Sequence, residues 1–214
     1  MEGTLSPSPS PRTVTSVVAR NDQRRARIVE ALRQCMLERG YAGTSLVDVA
    51  RAAGMTPSHL LYYYKGKDAI LNAYWQDYAD SVLARLREIE SEPLERRIDL
   101  LADVLLSGEK ATQADLGLFL EFCGLAVHHK ELYQTKCQFD RAFKAWMARQ
   151  FEDGPRKLGQ YTKISAESAY SLLMGLCTSA YFDERLGFER ARALLRHTLR
   201  QLAGYEQFLG ETSP

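Results

Sequence analysis

The side chains with the most chemical capacity crowd into one stretch of this chain. Hydroxyls stand at Thr44, Ser45, Thr56 and Ser58, an imidazole at His59, phenols at Tyr62, Tyr63 and Tyr64, and an ammonium at Lys67. Enzyme patterns are missing: there is no H-E-x-x-H, no G-x-S-x-G, no P-loop and no E-x-x-H pair of the di-iron type. His128 and His129 are neighbours, so on a helix they point to different faces and do not share a metal. No catalytic residue, metal ligand or cofactor is expected. Contact with a polyanion is the better reading, because residues 1–67 hold ten basic against five acidic side chains while the whole chain carries only +1. A basic front on a mildly acidic body suggests two jobs, with the polyanion confined to the front.

The 214 residues, 45% hydrophobic and 26% charged, have the composition of a soluble globular protein with a sizeable core. The longest uncharged stretch near the C-terminal end, Ser168–Phe182, has 15 residues, short of the roughly 20 that span a bilayer. Met1-Glu2-Gly3 leads into Ser-Pro repeats and not into a secretory signal. Cys35, Cys123, Cys137 and Cys177 lie far apart without a C-x-x-C pair, which fits a reduced chain in the cytoplasm with no membrane contact.

These side chains need helices to position them, and the pattern predicts an all-α fold of about nine helices. Residues 1–17, rich in Ser-Pro, are expected as a disordered tail. A helix-turn-helix domain is expected over 18–66 and a larger helical domain over 67–214. The first helix spans about 18–39, with Ile28, Leu32, Cys35 and Met36 at helical spacing and Gly40 as its cap. Ser45 and Asp48 have capping-box spacing and open a short helix. Thr56 and Pro57 have the N-cap and first-position chemistry of the next. Lys65-Gly66 breaks it before a long helix from Lys67 to about Ser91. Further helices are expected at about 94–107, 112–128, 130–152, 163–184 and 188–207.

Leu46 to Tyr64 has the form of a helix-turn-helix, with Ala50 where two helices cross and Gly54 in the turn. Leu46, Val49, Met55 and Leu60 are placed to fill the small core, and the second helix to present its N-terminal residues to a DNA major groove. An ordinary αα-corner would share this outline, but the basic residues, the tyrosines and Lys67 favour DNA.

The run Gly40-Tyr41, Thr44 to Thr56 and Leu60 to Leu71 resembles the N-terminal DNA-binding domain of the TetR family of transcriptional regulators, over about residues 24–71. That resemblance implies an all-α homodimer that binds a palindromic double-stranded operator and responds to a small molecule. It implies phosphate contact by Thr44 and Ser45. It puts Thr56, Pro57, Ser58 and His59 in the turn and the exposed first turn of the recognition helix, Tyr62 and Tyr63 against sugar and phosphate, and Lys67 near phosphate. Two positions depart from the family's pattern: Leu61 stands for the usual Tyr, and Tyr64 for the usual Phe. Binding strength is therefore assigned to Thr44, Ser45, Tyr63, Lys67 and the Arg24/Arg25/Arg27 cluster, and sequence discrimination to Thr56, Pro57, Ser58, His59 and Tyr62.

In the body, aromatic and Met stripes recur on several helices, with 112–128 apolar around most of its circumference and so expected as a central buried helix. Such stripes are more often core than pocket. Small polar groups among them nevertheless suit a small-molecule cavity. By the resemblance, an apolar or amphipathic effector would lie among Trp75, Phe119, Phe122, Cys123, Phe143, Met147, Tyr170 and Met174. The stretch Leu118 to Arg149 resembles the C-terminal domain of choline-responsive betaine-pathway repressors, and no ligand is carried over from it. The family's last two helices form the dimer interface; here Leu172, Gly175, Leu176 and Ser179 give one stripe, and Leu194, Leu195, Thr198, Leu199 and Leu202 another. A ligand-responsive repressor is the leading reading. The alternatives are a DNA-binding protein whose body docks a protein partner, and an all-α enzyme.

Overall fold

The computed structural model describes residues 11–106, 113–155 and 158–205. The described residues form nine α-helices and no strand: α1 (Pro11–Arg39), α2 (Leu46–Ala52), α3 (Pro57–Tyr63), α4 (Lys67–Glu88), α5 (Leu94–Leu106), α6 (Gln113–Ala126), α7 (Lys130–Glu152), α8 (Thr162–Phe182) and α9 (Gly187–Ala203). Short 3-10 turns follow α4 at Ile89–Ser91 and precede α8 at Gly159–Tyr161. The all-α class expected from the sequence is what the chain adopts. No helix among the described residues is long and apolar enough to cross a membrane.

Two ends differ from the sequence reading. Helix α1 begins at Pro11, inside the segment expected as tail, while residues 1–10 lie outside the described residues. Proline suits a first helical position, and neither Gly nor Pro interrupts the chain from Arg12 to Arg39. The chain also parts into two compact units within α4, one up to Tyr74 and the other from Trp75. The boundary expected before Lys67 falls short of that division because Ile70 and Leu71 are completely buried and go with the first unit.

In the first unit, α2 packs on α1 and α3. Ile28, Leu32, Val49, Ala50 and Leu60 are wholly buried there. Leu46, the first residue of α2, and Met55, in the turn after it, were expected in this core and are only half-buried.

In the second unit, α9 packs on α5 and α8, α7 packs on α8, and α6 lies against α7 and α8. Its core gathers Leu86, Ile98, Leu101, Phe143, Phe151 and Leu199, all completely buried. Beside that apolar seam, a ladder of ion pairs joins α5 to α9. Arg200 donates to Glu95 at 2.5 Å and to both oxygens of Asp99 at 3.1 Å, and Arg196 donates to Asp103 at 2.8 Å. Part-exposed pairs like these contribute about 0–1 kcal/mol each, so apolar burial dominates. Helix α6 is not the central buried rod its composition suggested. Leu116, Leu118, Phe122 and Ala126 are buried, but Phe119, Leu120 and Leu125 are half-buried, and Phe119 borders a cavity. Phe143→Ala is expected to lower the stability of this unit by about 3–5 kcal/mol. Urea unfolding followed by near-UV circular dichroism measures it, and a loss below about 1 kcal/mol would contradict a packed Phe143.

Candidate nucleic-acid interface and cavity

Local hydrogen bonds set both short helices of the head. Ser45 caps α2: its Oγ accepts from the Asp48 N–H at 3.2 Å, and Asp48 Oδ2 accepts from the Ser45 N–H at 3.0 Å. The Ser45 hydroxyl, which donates to Asp48 Oδ2, and after it the Ser45 N–H hold the Asp48 carboxyl below the usual carboxylate range, with Arg39 and Arg51 adding to the effect. Thr56 caps α3 by accepting from the His59 N–H at 3.2 Å, with Pro57 in the first turn. Both caps match the sequence reading. Between the helices Gly54 takes φ +65°, and a Cβ there would lie 2.7 Å from Arg27 Nη2. Arg27 Nε donates to the Ala53 carbonyl at 2.9 Å, and its Nη2 donates to the same oxygen. The guanidinium thereby ties the end of α2 to α1.

The expected DNA residues divide into two groups. Ser45, Thr56, Pro57, Ser58 and His59 are exposed, and Tyr62 is 76% exposed. On the opposite side of α3, Leu60 is buried and Tyr63 is only 7% exposed, its hydroxyl accepting from Arg24 Nη1 at 3.1 Å. Thr44 is 2% exposed, and its hydroxyl donates to the Gly40 carbonyl at 2.7 Å. Lys67 Nζ donates to the carbonyls of Tyr41 and Thr44, each at 2.7 Å, and lies 3.9 Å from the centroid of the Tyr41 ring. To donate to phosphate, Thr44 would have to give up its bond to Gly40, whereas Tyr63 accepts from Arg24 and Lys67 places two of its three N–H groups on carbonyls. Arg24, Arg25 and Arg27 are exposed, and each also holds a group of the head: Arg24 meets Tyr63, Arg27 meets Ala53, and Arg25 lies over the Tyr64 ring at 5.2 Å. Leu61, where the family's pattern has Tyr, is exposed. Two exposed basic side chains were not singled out from the sequence: Arg51 near the end of α2, and Lys65 between α3 and α4. Arg51 could have been found from register, because it stands off the face that buries Val49, Ala50 and Ala53.

The second unit holds a cleft of about 600 Å³, part of it open to solvent. Its wall is apolar, from Val82, Leu105, Leu116, Leu173 and Met174, with Asp115 and Cys177 also present. A second compartment shares Tyr78, Phe119 and Phe139 with it and adds Trp75, Phe122, Thr135 and Lys136. Trp75 stacks on Phe122 at 4.3 Å and meets Phe119 edge-on at 5.8 Å. Among the expected effector residues, Trp75, Phe119, Phe122 and Met174 line these spaces. Phe143 and Met147 do not; they are packed into the core, because a helical stripe fixes which side is apolar and not what it meets. Cys123 and Tyr170 line neither compartment. Burial pushes the Cys123 thiol up and the Cys177 thiol up to about 11, so both are protonated near neutrality. The sequence reading missed Lys136. Its only signal was an i,i+4 spacing to Asp140 on an otherwise aromatic helix face.

The stripes on the last two helices also divide. Leu176, Leu195 and Leu199 are buried in the core, whereas Gly175, Ser179 and Leu194 face outward.

Comparison with known proteins agrees with both halves of this geometry. Residues 28–74 match the family model "Bacterial regulatory proteins, tetR family", and residues 93–204 match "BetI-type transcriptional repressor, C-terminal". The HTH-type transcriptional regulator BetI of Cronobacter sakazakii is 25% identical over 188 residues, covering 85% of this chain and 92% of its own length. A transcriptional regulator from Rhodococcus sp. Rha1 superposes with a TM-score of 0.75 at 18% identity, over 86% of this chain and 98% of that one. A transcriptional regulator from Saccharomonospora viridis, solved in complex with choline, superposes with a TM-score of 0.73 at 17% identity, over 84% and 96% of the two chains. With its matched head and its matched body, the chain belongs to the TetR family of DNA-binding transcriptional regulators.

Proposed function

We propose that this regulator is a ligand-responsive repressor, acting in the cytoplasm as a homodimer on a palindromic operator and released from it by a small apolar or amphipathic effector. One observation carries the DNA-reading part: the first turn of α3 is exposed at Thr56, Pro57, Ser58 and His59, while Leu60 and Tyr63 anchor its other side. Ser58 and His59 offer hydrogen-bonding groups to base edges, and Pro57 offers apolar contact to a thymine methyl. Ser45, Thr56, Tyr62, Arg51 and Lys65 serve as the phosphate-facing set. Thr44, Tyr63 and Lys67 support that set from inside, through the hydrogen bonds they already make.

The outward residues of α8 and α9, Gly175, Ser179 and Leu194, form the face that meets the second copy. A two-fold axis there sets two recognition helices one helical repeat, about 34 Å, apart on a palindrome. The cleft in the second unit takes the effector, bordered by Trp75, Phe119, Phe122 and Met174. The two units part within α4, so a change in α4 on ligand binding is the means of transmission. The effector need only bind the non-DNA form more tightly for release to follow.

Gel shifts on palindromes selected by the protein, repeated at several salt concentrations, test the DNA reading. Affinity should fall steeply with salt, by about 0.9 log units per log salt for each phosphate neutralised. Ser58→Ala and His59→Ala should each change base preference at one position by about 1–3 kcal/mol. An unchanged preference after both would reject the assignment of α3. Lys67→Met should cost about 2 kcal/mol of stability in thermal unfolding, through the loss of charge-assisted bonds to two carbonyls. It should leave the salt slope as it was; a slope shallower by about one phosphate would instead put this ammonium on DNA.

A further inference from the structure

We infer that the effector of this protein is an amphipathic carboxylate, and that Lys136 is the residue that selects its anionic head. The inference rests on the ligand-responsive reading above and names the chemistry of its ligand. The aromatic compartment of Trp75, Tyr78, Phe119, Phe122 and Phe139 would by itself suit an organic cation, which aromatic faces attract. The protein supplies its own cation there. Lys136 lines the compartment, its Nζ 5.9 Å from the Phe119 ring centroid and 5.5 Å from that of Tyr170. An incoming organic cation would find the ammonium already in place.

Charge counting around Tyr170 points the same way. Lys136 donates to both oxygens of Asp140 at 2.7 Å and to the Tyr170 hydroxyl at 2.8 Å, and that hydroxyl in turn donates to Asp140. The Lys136 and Asp140 side chains are only 18% and 19% exposed. A second ammonium, Lys144, lies 5.5 Å from the Tyr170 ring centroid. Around Tyr170, two cations face one anion, a local surplus of one positive charge to which the half-buried Lys144 contributes from outside the compartment. A ligand carboxylate cancels that surplus, whereas a quaternary ammonium doubles it. Asp115 does not reverse the count. It borders the other compartment, not the one with Lys136, and stands in the first turn of α6, where the helix end already favours a carboxylate. The apolar body of the ligand goes to the cleft of Val82, Leu105, Leu116 and Leu173.

Three probes with one eight-carbon tail and different heads test this: octanoate, 1-octanol and octyltrimethylammonium. Each is titrated into the full-length protein and followed by tryptophan fluorescence, since Trp75 forms part of the wall. Octanoate should bind about tenfold more tightly than either other probe, its carboxylate taking over one of the Lys136 N–H groups now shared between Asp140 and Tyr170. Lys136→Met should bring octanoate down to the affinity of octanol, and Lys136→Arg should keep most of the preference. Asp140→Asn, which removes the resident counter-charge, should tighten octanoate several-fold and guards against a Lys136 variant that fails to fold. Octyltrimethylammonium binding as well as octanoate, octanoate affinity unmoved by Lys136→Met and Asp140→Asn, or no binding by any probe would each overturn the inference. Gel shifts with the same probes keep the underlying reading separate. Octanoate that binds but does not release DNA sinks the ligand-responsive reading and leaves the charge preference standing. Release by octyltrimethylammonium alone does the reverse.

Discussion

Where α2 ends, Gly54 turns the chain at a positive φ, and the Ala53 carbonyl left over by the helix is taken by the Arg27 guanidinium reaching from α1. Helix ends leave carbonyls without intrahelical partners, and a charged donor is a strong way to satisfy one. A Cβ at residue 54 would sit 2.7 Å from Arg27 Nη2 and push it off that carbonyl, besides meeting a φ of +65° that glycine favours. Three elements are thereby held at once: α1 through Arg27, α2 through Ala53, and the start of α3 through the turn that follows. The caps at Ser45 and Thr56 then settle the two helix starts. What emerges is a rigid mount for a single exposed turn, with Leu60 and Tyr63 as its buried footing. A DNA-reading surface needs that rigidity, since base-edge hydrogen bonds tolerate little misplacement.

The features legible in the sequence were those fixed by neighbours along the chain. The capping box at Ser45 and Asp48, the Thr56-Pro57 start and the turn at Gly54 depend on residues within a few positions, and each stands where the sequence put it. Resemblance supplied the family, since the order of these residues is distinctive. What stayed hidden was set by partners distant in sequence. Tyr62 and Tyr63 are adjacent and chemically alike, yet one faces out and the other accepts a bond from Arg24, 39 positions away. Lys67 holds the carbonyls of Tyr41 and Thr44, 26 and 23 positions away, a task that no spacing announces. In the body, periodicity found the apolar faces of α6, α7 and α8. It could not separate Phe143, which meets packed side chains, from Phe119, which borders open space.

The two units handle their interiors differently. The head buries Thr44 and Tyr63 against hydrogen-bond partners and otherwise fills its small core mainly with aliphatic side chains. The body keeps an apolar cleft and sets a satisfied trio of polar groups beside its aromatic end. Space left unpacked forgoes the dispersion contacts that stabilise a core. A molecule that fills it restores those contacts and stabilises whichever form it binds. The cleft is therefore a place where stability and ligand occupancy are linked by mass action.

The α5–α9 ladder has a geometric implication of its own. Acidic residues recur every fourth position at Glu95, Asp99 and Asp103, and arginines do the same at Arg192, Arg196 and Arg200. Sliding one helix past the other by a single turn would forfeit one rung and preserve the rest. The charges thus decide which sides of the two helices meet, but with one sign on each helix they are nearly indifferent to direction and to translation along the seam. Alignment is left to Ile98, Leu101, Ala191, Leu195 and Leu199, which are buried in the core, where close packing makes shape decide.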